Sequence, residues 1–203
     1  MEFLLGGIAV PGEYNFYALI ARMKYIDRWA LMRNTEPENI QEHSHQVAVL
    51  AHALAVLQNR YFGGQLDPGQ VAVAALYHDA TEIITGDMPT PIKYFNDTLR
   101  DSYKEVEAVA ADRLLAMLPQ ELRGEYEPLL KEQNPEIRAV VKAADKLSAY
   151  LKCVEELKAG NNEFRLAREQ TWEALMDNPL PALQYFIEHF LPSFELTLDE
   201  LQT

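Results

Sequence analysis

Residues 135–161, PEIRAVVKAADKLSAYLKCVEELKAGN, constrain the fold more than any other stretch of this chain. Pro135 suits a first helical position and Gly160 a helix stop. Between them Val140, Ala144, Leu147, Leu151 and Val154 recur at the spacing that lines one helix face. Such a stripe needs partners of the same kind to bury it, and the chain supplies them. Phe16, Leu19, Ile20 and Met23 form one further stripe; Val47, Leu50, Ala51 and Leu54 form another, closed by Gly63-Gly64. In DPGQVAVAALYHDATEIITG, Asp67 reads as an N-cap, Pro68 as the first helical residue and Gly86 as the residue beyond the end. Residues 98–117 read as a long surface-facing helix before Pro119, and 162–177 and 180–190 as two more helices divided by DNPLP. The alternation of period two that marks strands does not recur, and no repeat, low-complexity tract or long linker divides the chain. The expectation is an all-α, single-domain helical bundle, for which 203 residues with 48% hydrophobic composition provide enough core.

Charge narrows the partners. Eighteen Lys and Arg against 31 Asp and Glu leave a net charge of −13, a field that repels a nucleic-acid backbone. A small anionic substrate fits only with local compensation from a cation or a few arginines. The single cysteine, Cys153, excludes an intramolecular disulfide and suits a reducing compartment. The start, MEFLLGGIAVPG, has no basic lead and is too short to span a bilayer. The chain is expected to be cytoplasmic, without a membrane or a nucleic-acid polymer as partner.

One stretch carries charge where burial is expected. Placed on one helical wheel of about 100° per residue, residues 71–84 spread Val73, Leu76, Ile83 and Ile84, with Ala72 and Ala80, around most of the circumference. That pattern predicts a largely enclosed helix, with His78 and Glu82 on one face and Asp79 one step round. Unpaired buried carboxylates cost several kcal/mol, so these groups need partners. Taken alone, they read as a His–Glu pair beside a hydrogen-bonded Asp, and Asp145 reads as a helix-edge residue paired with Lys142 or Lys146. His45 and His52 share another face and read as packing or surface residues, and His189 as a partly buried core or interface histidine. Taken together, His43, His78, Asp79 and Asp145 place two imidazoles and two carboxylates on three helices. That donor set suits a divalent transition metal with open positions for water and phosphate.

The order H…HD…D in these four residues is the signature of the HD superfamily of metal-dependent phosphohydrolases. With it stand DRWALMRN (27–34), EHSHQVAVLAHAL (42–54), LYHDATEIITGDMPTPIKYFN (76–96), AYLKCVEELKAGNNEF (149–164) and PSFELTLDEL (192–201). Together they closely resemble the bacterial 5′-deoxynucleotidase family. The resemblance runs from about residue 15 to the C-terminus, leaving 1–14 as an N-terminal extension and 15–203 as an HD-type helical domain. It implies hydrolysis of deoxyribonucleoside 5′-monophosphates to deoxyribonucleoside and phosphate. It also implies a homodimer and a divalent cation, with cobalt active and manganese or magnesium as other candidates. Residue by residue, it implies metal ligation by His43, His78, Asp79 and Asp145, with His43, Asp79 and Asp145 also at the substrate. Arg28 would orient the phosphate, Trp29 would lie against the sugar where a ribose carries its 2′-hydroxyl, and Asp87, Met88, Pro89 and Thr90 would line the pocket. Glu82 would stand beside the metal-bound water.

The chemistry of those residue types agrees. An arginine fork stabilises charge building on equatorial phosphoryl oxygens. Glu82 is expected to hold or deprotonate the attacking water, and Asp87 to protonate the departing 5′-oxygen, though sequence leaves open which carboxyl is acid and which is base. Without the resemblance, GDMPTP reads as a helix-ending loop, and Arg28-Trp29 as a packed Trp beside an exposed Arg. Two other functions compete. A triphosphohydrolase or phosphodiesterase of the same superfamily would want more basic groups for extra phosphates. A nucleotide-binding sensor without catalysis sits poorly with an intact ligand set and an intact Glu82.

Overall fold

The computed structural model describes residues 13–93, 95–131 and 134–202, apart from the side chains of Thr90 and Pro91. Of the N-terminal extension, only Glu13 and Tyr14 fall among the described residues. The helices in chain order are α1 (Phe16–Ile20), α2 (Ile40–Phe62), α3 (Pro68–Tyr77), α4 (Glu82–Thr85), α5 (Thr90–Lys93), α6 (Asp97–Ala116), α7 (Arg123–Leu130), α8 (Pro135–Lys158), α9 (Arg165–Met176) and α10 (Pro181–His189), with short 3₁₀ turns between several of them. Among the described residues there is no strand, only an isolated antiparallel bridge between Asp27 and Asn39. The all-α expectation holds. No described helix is long and apolar enough to cross a membrane.

Caps set where the central helices start. The Asn39 side chain accepts from the Glu42 N–H at 3.1 Å, and Glu42 accepts from the Asn39 N–H at 3.4 Å, closing a capping box. That box fixes the depth of His43, whose own N–H bonds the Asn39 carbonyl at 3.0 Å. Asp67 caps α3 through the N–H groups of Gly69 and Gln70, and Asn134 caps α8 through Glu136. α2, α3 and α8 then pack through Val47, Ala51, Leu54, Val71, Ala75, Val140, Ala144 and Leu147, all buried. The many alanines bring the helix axes close, and each fully buried Leu or Val contributes about 1.5–3 kcal/mol. Phe16, Ala80, Leu114 and Leu118 form a second cluster that joins α1 and α6 to the turn after α3.

Three expectations need correction. Residues 71–84 are not one helix: α3 ends at Tyr77, and residues 78–81 form a tight turn before α4. The His78 Nδ1–H donates to the Ala75 carbonyl at 2.7 Å, while the His78 backbone N–H lies 3.5 Å from that oxygen. The side chain thus competes with the backbone for one acceptor. The next bonds reach back three residues, from Ala80 to Tyr77 and from Glu82 to Asp79, both at 3.0 Å. Nor is the segment enclosed, because Val73, Leu76 and Ile84 are exposed. His189 is also exposed, resting against Tyr185 with ring centroids 4.2 Å apart.

Candidate active site

Four expected ligands meet where α2, the turn after α3, and α8 converge. His43 is wholly buried, and its Nδ1 lies 3.1 Å from Ser148 Oγ. Ser148 spends its only proton on Gln46 Oε1 at 2.6 Å, so its oxygen accepts from the His43 Nδ1–H. His78 is oriented likewise by the Ala75 carbonyl. Both rings therefore turn Nε2 inward, as a hydrogen bond to the other ring nitrogen does for metal-binding histidines. His43 Nε2 lies 3.0 Å from Asp145 Oδ1 and 3.6 Å from Asp79 Oδ2, and His78 Nε2 lies 3.1 Å from Asp79 Oδ2. Neither buried Nε2 has a hydrogen-bond partner among the described groups, despite those close oxygens. His43, His78 and Asp145 place ligand atoms within 4.8 Å of one another, with Asp79 against both imidazoles. Orphaned nitrogens facing carboxylate oxygens are the arrangement a divalent cation resolves, so the donor set fits one.

The electrostatics divide the carboxyl groups. Burial works against ionising Asp79 and Asp145. The imidazoles outweigh it, His78 for Asp79 and His43 for Asp145, and hold both below the usual carboxylate range. Burial alone would lower His78, but Asp79, with Asp145 behind it, lifts it to about 9. Glu82 behaves oppositely. It is 6% exposed, its Oε2 has no partner among the described groups, and burial with Asp79 and Asp87 pushes it up to about 9 against Arg28 and Lys93. Asp87 is also raised, by burial with Asp79 and against Arg28. Carboxyls pushed toward the ionised form beside carboxyls pushed toward the protonated form are the separation that acid–base chemistry needs.

Asp87 reaches this position because Gly86 takes φ 74°, a conformation that turns the chain sharply after α4. Met88 and Pro89 continue that turn, half-buried. The Thr90 side chain lies outside the described residues. The turn is tied to α6 by Thr85 and Tyr103, whose hydroxyls lie 3.1 and 3.4 Å from the Gly86 carbonyl, and by the Lys93–Glu107 ion pair at 2.7 Å.

Arg28 is not the exposed residue that its sequence surroundings suggest without the resemblance. Its side chain is 12% exposed, with Nη1 at 3.5 Å from Asp79 Oδ2 and Nε at 3.0 Å from Glu38 Oε2. Trp29 donates its indole N–H to the same Glu38 oxygen at 3.0 Å and leans on the buried Phe164, with ring centroids 5.4 Å apart. Its backbone sits at φ 56°, a left-handed conformation that costs a bulky residue about 1–3 kcal/mol. Met32 N–H and the Asn34 side chain hold the Trp29 carbonyl in compensation.

Glu38, Ser148 and Gln46 are contributors that the sequence reading missed. Ser148 had a signal, being three residues after Asp145 and so on the same face of α8. Glu38 had none, since its contacts cross a ten-residue loop closed by backbone bonds from Arg28 to Glu38 and from Ile40 to Ile26.

Residues 15–194 match the model of the YfbR-like 5′-deoxynucleotidase family. A 5′-deoxynucleotidase of Vibrio cholerae is 52% identical over 191 residues, covering 93% of this chain and 98% of the relative. Among solved structures, an HD-domain phosphohydrolase from Listeria innocua superposes with a TM-score of 0.78 at 21% identity, over 93% of this chain and 92% of its own. The HD phosphohydrolase DatZ of cyanophage S-2L, bound to dA and one catalytic Zn²⁺, gives 0.62 at 25% identity, over 89% of this chain and 96% of its own. The expected HD-type helical architecture is therefore the fold of this chain.

Proposed function

The chain belongs to the YfbR-like 5′-deoxynucleotidase family, and on that premise we propose that it hydrolyses deoxyribonucleoside 5′-monophosphates to deoxyribonucleoside and phosphate. The observation that carries the reading is the pair of inward, unpartnered Nε2 atoms of His43 and His78 beside Asp79 and Asp145, with Arg28 adjoining. Those four residues would hold a divalent cation, which lowers the pKa of a water and polarises a phosphoryl oxygen. Arg28, anchored at Nε by Glu38, offers its remaining donors to the equatorial oxygens. Glu82 would take the proton of the attacking water, since a cation held by those four residues would offset the negative charge of Asp79 and Asp87 that raises it. Asp87, raised above the ordinary aspartate range, gives a proton to the departing 5′-oxygen. Trp29 packs against the deoxyribose, where a 2′-hydroxyl would meet the indole, and Asp87, Met88 and Pro89 line the pocket. His43, Asp79 and Asp145 also border the phosphate.

Two imidazoles and two carboxylates suit borderline divalent ions, so cobalt is expected to support activity, with manganese and magnesium as further candidates. Exposed Val49 and Val56 on α2, and Val73 and Leu76 on the neighbouring α3, support a homodimer. The catalytic domain is residues 15–203, preceded by the 1–14 extension, and the site is cytoplasmic. Arg28 and Lys93 are the cations that act on Glu82, and Lys93 is committed to Glu107, which disfavours a triphosphate substrate. Phosphate release from a panel of nucleoside mono-, di- and triphosphates tests the reading. Deoxyribonucleoside monophosphates should be cleaved and the others spared; preferential cleavage of triphosphates would overturn it.

A further inference from the structure

A single carboxylate oxygen holds two residues that recognise different parts of the substrate. Glu38 Oε2 accepts from Arg28 Nε and Trp29 Nε1, each at 3.0 Å, so neither side chain can rotate without breaking a bond to the other's anchor. We propose that Glu38 is a positioning residue that couples phosphate and sugar recognition, setting the preference for deoxyribose by locking the Trp29 indole to the Arg28 guanidinium. The proposal rests on the reading that Trp29 faces the sugar.

The loop before Glu38 is itself clasped from α8. The Glu156 carboxylate accepts from the backbone N–H groups of Thr35 at 2.9 Å and Glu36 at 3.1 Å, from Asn161 at 2.8 Å and from Lys152 Nζ at 2.5 Å. Lys152 also donates to the Glu36 carbonyl and lies 5.7 Å over the ring of Phe164, the ring that supports Trp29. Lys152 and Glu156 are both buried. A buried ion pair is a poor way to gain stability, since apolar residues of similar size pack as well. It does satisfy three backbone groups of the loop at fixed places, which apolar residues would not. Asp145, Ser148, Lys152 and Glu156 fall on one face of α8, at helical spacings of three and four. That face therefore carries a metal-ligand candidate, the residue that orients His43, and the clasp on the Glu38 loop. Metal site, phosphate donor and sugar wall are indexed to one helix.

Glu38→Gln keeps the shape but removes the charge shared by the two donors, and should reduce the deoxyribo- to ribonucleotide ratio of kcat/KM about tenfold, as loss of one charge-assisted hydrogen bond implies. Metal content, read by elemental analysis, should not change. Trp29→Phe keeps a ring but deletes the indole donor, and should lower the ratio similarly; the double variant should be no worse than the poorer single one. Wild-type selectivity in Glu38→Gln, with the ratio lowered in Trp29→Ala, overturns the role of Glu38 and leaves the sugar reading standing. An unchanged ratio in Trp29→Ala overturns the sugar reading and the coupling with it. Lys152→Met provides a variant outside the donor pair. It should lower the ratio in the same direction, and an additive effect on top of Glu38→Gln would contradict the clasp.

Discussion

Ser148→Ala offers a sharp perturbation of the proposed metal centre, because it alters no proposed ligand. In the native arrangement Ser148 gives its proton to Gln46 at 2.6 Å and accepts from the His43 Nδ1–H at 3.1 Å. His43 is 0% exposed, so deleting the hydroxyl leaves a buried ring donor that water does not reach. An orphaned buried donor costs about 1–3 kcal/mol, and losing an outer-shell partner of a metal-bound histidine typically costs about 10–100-fold in affinity. Both follow from one bond, so the variant should melt lower without the cation and need about 10–100-fold more cation for half-maximal occupancy. Chelator competition monitored by metal release measures the affinity, and thermal unfolding measures the stability. Gln46→Leu is the matched control. It frees the Ser148 proton but keeps the oxygen, so its metal affinity should fall less. Unchanged affinity in Ser148→Ala, or a larger loss in Gln46→Leu, would refute the orientation argument.

Arg28→Ala should lower kcat sharply, and Arg28→Lys should recover little, because a lysine cannot bond Glu38 and phosphate with one planar fork; wild-type kinetics in either places Arg28 outside the reaction. Glu82→Gln should keep metal and substrate binding while losing turnover, and metal loss by elemental analysis would make Glu82 a ligand instead. For pH, burial opposes the charge on Glu156, yet the Lys152 and Asn161 hydrogen bonds hold it at about 2, below the ordinary 4.5. Its contribution to stability is therefore complete above about pH 4.5 and lost as pH falls through about 2. Trp29 fluorescence should report release of the loop across that window in the native chain, and should lack that transition in Glu156→Gln.

The helices and the clustering of the four candidate ligands were legible because each rests on local chemistry. The cap at Asp67, the helix start at Pro135, the stop at Gly63 and the stripe from Val140 to Val154 all behave as their spacing implies. His43, His78, Asp79 and Asp145 come within reach of one another, because α2, the turn after α3 and α8 converge. The break after Tyr77 was not legible: it depends on the His78 side chain taking the acceptor that its helix would have used, a contest that periodicity does not record. Glu38 was hidden for a different reason. Its partners lie nine and ten residues back across an irregular loop, and that loop is held by α8 residues more than a hundred positions away. The enclosed reading of α3 failed because Val73 and Leu76 look the same in sequence whether they face a core or the outside.

The most direct test takes the chain stripped of divalent ions by chelation and follows inorganic phosphate released from a deoxyribonucleoside 5′-monophosphate as cobalt or another divalent cation is added back. The stripped chain should be inactive, activity should return saturably with metal, and His78→Ala and Asp79→Ala should remain folded but respond to neither metal nor substrate. Full turnover by a preparation shown to be metal-free by elemental analysis would contradict a metal centre built from His43, His78, Asp79 and Asp145.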